Sequence, residues 1–304
     1  MESKLLQIIE RYKSDTFFFG PVAEENIIKA ERALGLTFPS EYREFIKMFG
    51  SGVICEARVL GVEGDQGASV VVTRSLFPAS FDKSLVVIEY SHDYTMCMDT
   101  SKNDESVYTY NWYIRQPQLR YLSFHEYFID TYYRQQYERA LTALLLVISD
   151  ELLPLLQTNK EYNYAVEAID EFWYWHKEKS VKAGDLYSII ESDDAVNLVD
   201  LLDSERNATM EQVWLYLCYA LALISKQAYV FENRKHVPQS LEGDREYMIS
   251  FIDDTLKVLF GDDGEFFGKC KEFVDSYYRN QEIVDEDTIR NYVKSIFPIV
   301  AFHT

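Results

Sequence analysis

The sequence predicts two domains of different class: an α+β domain with helices packed on a small antiparallel sheet over residues 1–136, then an all-α helical domain over residues 137–304. Three observations carry this reading. The chain has 304 residues, about two domains' worth. Short runs rich in β-branched and aromatic residues, divided by Gly, Pro, Asp, Asn and Ser, are confined to the stretch between Gly52 and Tyr113. From Leu141 onward apolar residues recur at spacings of three and four, with almost no strand signal.

In chain order, Leu5, Ile8, Ile9 and Tyr12 recur at helical spacing. A second helix holds Val22, Ile27, Ala30 and Leu34, with Gly35 placed to close it. A third runs through Tyr42, Phe45, Ile46 and Phe49, starting at Pro39 or Ser40 and stopping at Gly50. Strands are expected at Val53–Gly61, Ala68–Arg74, Leu85–Tyr90, Tyr94–Met98 and Val107–Tyr113, forming one sheet. Ser123-Phe124-His125-Glu126 reads as a capping box for a helix through Tyr127, Phe128 and Tyr132. A break near Gln135–Arg139 is expected to separate it from the next helix. The second half then reads as helices at Leu141–Leu156, Tyr164–Trp175, Leu186–Ile190, Val196–Leu202, Val213–Phe231, Tyr247–Leu259, Phe266–Tyr278 and Ile289–Ile296.

The formal charge is −20, from 30 basic and 50 acidic side chains. It is uneven: residues 1–139 hold 15 basic and 20 acidic groups, and residues 140–304 hold 15 and 30. Such a field repels phosphate backbones and anionic lipid and attracts basic partners, so neither direct nucleic-acid binding nor membrane binding is expected. Met1–Leu6 shows no basic start leading into a long apolar run, and the longest apolar runs fall short of the roughly 18–20 residues that span a bilayer. The expectation is a cytoplasmic protein whose Cys55, Cys97, Cys218 and Cys270 are reduced.

Catalytic signatures are scarce. His92, His125, His176, His236 and His303 form none of the helical zinc spacings. His92-Asp93 are neighbours on an extended segment and point to opposite faces. Gly61–Gly67 lacks the Gly-Lys-Ser/Thr ending of a phosphate loop, and its own carboxylates repel phosphate. Asp262-Asp263-Gly264-Glu265 lacks the alternating oxygen ligands of a calcium loop. No enzyme activity, catalytic residue, metal or cofactor is expected. What stands out is aromatic content of 15%, with 23 tyrosines, among many carboxylates. Tyr and Trp bury large area at low entropic cost, which suits a protein-binding surface.

One set of residues sharpens this. Phe19-Gly20-Pro21-Val22, Ile27, Ala30-Glu31, Leu34-Gly35-Leu36, Phe38-Pro39, Tyr42, Phe45-Ile46 and Phe49-Gly50, followed by Val59-Leu60-Gly61 and Ser123-Phe124, resemble the pattern of a SUKH-superfamily domain over roughly residues 15–135. The second half is similar to the helical family called immunity protein six at Leu152-Leu153-Pro154, Tyr164, Ala168, Trp173, Leu186-Tyr187, Trp214–Ala222, Ala228-Tyr229 and Val237-Pro238. The two resemblances together imply a tandem of immunity modules, bacterial antidotes that bind and neutralise polymorphic toxins. The implied partner is a cognate toxin domain, basic if it is a nuclease. The alternative is an adaptor that uses the SUKH-like domain to bind a protein unrelated to toxins. The matching motifs transfer architecture rather than contacts. The contacts are therefore expected at loop and strand-edge carboxylates: Glu63, Asp65, Asp93, Asp99, Asp104 and Glu105 in the first half, and Asp193, Asp194, Asp262 and Asp263 in the second.

Overall fold

The computed structural model describes residues 6–7, 9–10, 16–54, 57–62, 69–90, 95–102, 104–111, 114–192, 196–232, 237–241, 245–261 and 265–298. The chain divides into two compact units, residues 1–135 and 136–304. The first has helices with small antiparallel sheets and the second is helical, the two classes the sequence predicts.

In the first unit, β1 (Thr16–Phe18), β2 (Gly52–Ile54) and β3 (Ala57–Val59) form one antiparallel sheet. A second contains β4 (Leu85–Tyr90), β5 (Thr95–Asp99), β6 (Val107–Asn111) and β7 (Gln116–Tyr121) in that order. The single expected sheet is thus two, joined where the Leu60 N–H donates to the Ile88 carbonyl at 2.8 Å. Helices α1 (Glu24–Leu34) and α2 (Ser40–Phe49) match their periodicities, and Gly35 closes α1 at φ 71°. The expected strand Ala68–Arg74 is instead a short helix, α3 (Val70–Arg74). Its valines favour strands only weakly, and Ser69 caps the helix by accepting from the Val72 N–H. Val70 and Thr73, one turn apart, are buried.

The motif residues fix how this unit closes. Glu31 accepts hydrogen bonds from the Phe38 N–H at 3.0 Å and from Arg43 Nε at 3.2 Å, tying α1 to α2. The buried Tyr42 hydroxyl donates to the Leu60 carbonyl at 2.7 Å. Two glycines allow backbones to cross. Gly50 has φ 72°, and a β-carbon there would lie 2.5 Å from the Gly20 carbonyl oxygen. At Gly61 it would lie 2.6 Å from the Gly50 carbonyl oxygen and 2.7 Å from the Ser51 nitrogen.

Helix α4 (Phe124–Leu152) is unbroken where the sequence suggested a break. Nothing between Ser123 and Leu153 stops a helix, since there is neither Gly nor Pro, and Arg134, Gln135 and Gln136 favour helix. Its first half buries Phe124, Tyr127, Phe128 and Tyr132 in the first unit, and Leu141–Ile148 are almost wholly buried in the second. A 3-10 turn containing Pro154 ends it.

The second unit continues with α5 (Tyr162–Glu178), α6 (Ala183–Ile190), α7 (Leu198–Ser204), α8 (Ala208–Phe231), α9 (Arg245–Phe260), α10 (Phe266–Arg279) and α11 (Glu286–Ile296). Helix α8 is its central element: Val213, Trp214, Tyr216, Leu217, Leu221 and Ile224 are all buried. Its length and composition would suffice to cross a membrane, but 67% of its apolar window is buried inside the protein. The Tyr216 hydroxyl donates to the Leu145 carbonyl at 2.9 Å and ties α8 to α4.

Candidate functional site

Three of the ten expected contact residues lie among the described residues, and they differ in use. Asp104 is exposed and accepts from the Ser106 N–H. Asp99 is 9% exposed and accepts from the Ser101 N–H at 3.0 Å and the Ser101 hydroxyl at 2.6 Å. Burial pushes its carboxyl pKa up, but the Ser101 and Ser84 hydrogen bonds and the Lys102 charge outweigh this and hold it below the ordinary value. Glu105 caps α2, which begins after Pro39 and has no side-chain cap of its own. One Glu105 oxygen accepts from the Ser40 N–H at 2.8 Å and the Ser40 hydroxyl at 2.5 Å, and the other from the Glu41 N–H at 3.1 Å. Asp99 and Glu105 thus hold the fold locally, whatever else they touch. Glu63, Asp65, Asp93, Asp193, Asp194, Asp262 and Asp263 lie outside the described residues.

Among the described residues, three cysteines and one histidine sit in surroundings that hold them in their neutral forms. Cys97, Cys218 and Cys270 are buried, and burial is the largest cause pushing each thiol up to about 12. Burial, aided by Lys179, Arg139 and Lys177, lowers the His176 imidazole to about 3, so it is neutral at ordinary pH. Among the described residues no group of three or more His, Cys, Asp or Glu side chains could hold a metal. An open groove of about 520 Å³ lies between α9, α10 and α11, with the stacked rings of Phe273 and Tyr292 at 4.0 Å on its wall. The lysines lining it are paired, Lys257 with Asp253 on α9 and Lys269 with Glu265, the residue just before α10.

The outer face of α5 differs in its charge. Ala165, Ala168, Ile169, Phe172, Trp175 and His176 point inward. Opposite them, Glu167, Asp170, Glu171, Tyr174 and Glu178 recur at three and four spacings and are all exposed, Tyr174 by 53%. The four carboxylates extend over about 16 Å of helix. None of the five side chains makes a hydrogen bond or ion pair among the described residues. The cations beside them are engaged elsewhere: Lys177 lies 3.7 Å from Glu286, and Arg290 donates to Asp150 at 2.8 Å and to Glu286 at 3.3 Å.

This face is unfavourable for the isolated helix. Glu167 repels Asp170 and Glu171 at i+3 and i+4, at about 0.2–0.5 kcal/mol per pair, and Glu178 sits in the last turn, where the macrodipole disfavours an anion. A cationic partner relieves both costs. Local rules broken without internal compensation are a mark of functional surface. The expectation of contacts at loops and strand edges passed over this ridge, although its acidic spacing is readable in the sequence.

Residues 4–133 match the family model described as SMI1-KNR4 cell-wall, a SUKH family, and residues 140–258 match Immunity protein Imm6. The first unit is thus SUKH-type over residues 4–133 and the second Imm6-type over residues 140–258. The two-part resemblance carried by the sequence motifs is therefore correct, and the second match is to a family of immunity proteins. The SUKH-type match takes in Glu31, Tyr42, Gly50 and Gly61, whose contacts explain the motif they belong to. The acidic ridge of α5 lies within the Imm6-type match, whereas α10 and α11 lie beyond it.

Proposed function

We propose that this protein is a non-enzymatic antidote that binds a cognate polymorphic toxin in the cytoplasm and covers its active or substrate-binding surface. The observation that carries the proposal is the uncompensated acidic face of α5 within the segment matching an immunity-protein family. A nuclease-type toxin must present cations to hold phosphate, and those cations are what this face lacks. Long-range attraction of this kind speeds encounter, which is what an antidote needs to act before damage is done. The SUKH-like domain, taken as residues 1–136, and the helical domain, taken as 137–304, then serve one antidote.

The test begins with the purified full chain and lysate of its own organism, followed by identification of what is retained. Recovery of a basic toxin domain, with rescue of toxin-expressing cells, supports the proposal. The joint variant Glu167→Gln, Asp170→Asn, Glu171→Gln and Glu178→Gln should slow association about tenfold at low salt and flatten its salt dependence. It should leave the urea midpoint unchanged or slightly raised. Association equal to wild type at every salt concentration removes the ridge from the interface. The family description SMI1-KNR4 cell-wall favours a second reading, an adaptor acting through the first unit. An adaptor would retain a non-toxin protein and fail to rescue growth.

A further inference from the structure

A second surface of the Imm6-type unit has a different chemistry from the ridge. On α9, Met248, Ile249, Ile252 and Leu256 are buried, while Tyr247, Phe251, Asp254 and Val258 fall at i, i+4, i+7 and i+11 along the outer side. Tyr247 is 62% exposed and Val258 68%. The half-buried Tyr219 of α8 joins them, its ring stacked on Phe251 with centroids 4.9 Å apart and planes 16° apart. Tyr247 meets the same Phe251 ring edge-on at 4.5 Å. Three rings are thus held in fixed orientation before anything binds. Neither tyrosine hydroxyl makes a hydrogen bond among the described residues.

Anchors of this kind, rigid aromatics on an exposed helix face, carry most of the energy of protein interfaces. Their charge setting selects the partner. Aromatic faces attract guanidinium and ammonium groups. Asp254 stands on the same stripe with its side chain 66% exposed, its cation Lys257 is 3.8 Å away, and Lys257 lies closer, at 2.5 Å, to Asp253. Arg245, at the start of the helix, is turned to Glu138 at 2.7 Å. The stripe therefore offers π-faces that none of its own cations covers among the described residues, beside a carboxylate whose cation, Lys257, is shared with Asp253.

We propose that Tyr219, Tyr247 and Phe251, with Asp254, form a docking surface for an arginine-bearing segment of the toxin, and that this surface sets how long the complex lasts. The proposal rests on the antidote reading and adds to it a place and a chemistry. The ridge acts at a distance on encounter, whereas the ring cluster acts in contact on release.

The probe is the toxin domain retained by the wild-type full chain, with association and dissociation rates measured separately. Tyr247→Ala should speed dissociation about 30-fold, the ordinary effect of losing a hot-spot ring, and leave association within about twofold. Tyr247→Phe keeps the π-face and should behave as wild type. Tyr247→Leu keeps apolar area without the π-face and should still release several-fold faster. Because Tyr247 is exposed, an unchanged urea midpoint confirms that the fold is intact. If wild type binds and neutralises the toxin domain while Tyr247→Ala releases it no faster, the ring cluster is not the anchor and the antidote reading stands. If Tyr247→Leu equals wild type, the contact is apolar and the arginine assignment fails. If wild type binds no toxin domain, the antidote reading fails and this proposal with it.

Discussion

Glu105 is expected from the sequence as a contact and stands in the structure as a helix cap, and a binding assay alone would confuse the two. Both its carboxylate oxygens accept hydrogen bonds at the start of α2, from the Ser40 N–H and hydroxyl and from the Glu41 N–H. Replacing it with alanine removes a side-chain cap, which costs about 1–2 kcal/mol, and an anion at the positive end of the helix dipole, worth about 0.3–1 kcal/mol. Because Glu105 is partly exposed, a total of about 1.5–2.5 kcal/mol is expected. Glu105→Gln keeps one acceptor oxygen and should cost roughly half of that. The assay is urea unfolding followed by hydrogen exchange, so that the loss can be located in the first unit. With a urea dependence of about 1–3 kcal/mol per M, the midpoint should fall by about 1 M. Toxin release from the folded fraction should be unchanged. The reasoning is refuted if Glu105→Ala leaves the midpoint where it was, because the three hydrogen bonds would then contribute nothing. If affinity also fell, Glu105 would be a contact after all.

Two further expectations concern stability. Gly61→Ala places a β-carbon 2.6 Å from a backbone oxygen and 2.7 Å from a backbone nitrogen, neither of which can rotate away. It should destabilise the first unit by about 2–4 kcal/mol, whereas Gly268→Ala, whose β-carbon meets nothing within 4 Å, should be neutral or stabilising by up to about 1 kcal/mol; paired urea titrations decide both. His176 has a folded pKa of about 3 against an ordinary 6.5, so its effect on stability has a definite sign. Above pH 6.5 neither state holds the proton; as pH falls from 6.5 toward 3 the unfolded chain takes up a proton that the folded one refuses, and stability falls by up to about 1.4 kcal/mol per pH unit. His176→Gln should remove that component from the second unit's acid titration, and an identical pH slope in the variant counts against it.

What the sequence disclosed follows from how each segment is buried. Helices α5, α8 and α9 bury one stripe or most of their surface, so their apolar spacing is visible. Strand β7 was missed because Gln116-Pro117-Gln118-Leu119-Arg120-Tyr121 lies at a sheet edge, where only Tyr121 is buried and alternation disappears. A proline and an irregular register are common at such edges, where they discourage pairing with other chains. Helix α3 was misread because Val70, Val71 and Val72 suggested a strand and the cap at Ser69 outweighed them. The acidic ridge was visible only as ordinary helix carboxylates. Its distinction is that the neighbouring lysine and arginine face other partners, a fact of three-dimensional pairing that spacing cannot convey.

The burial of Cys97 in the first unit and of Cys218 and Cys270 in the second gives each unit its own reporter of opening. A thiol held near 12 is almost entirely protonated at neutral pH, and a buried one cannot meet a reagent. An alkylating agent therefore modifies Cys97 only when the SUKH-type unit opens, and Cys218 or Cys270 only when the Imm6-type unit does. Peptide mapping after timed labelling would read two opening rates from one unmodified chain. The same comparison made in complex with a toxin would show which unit the partner holds shut, since binding suppresses labelling in the unit it stabilises.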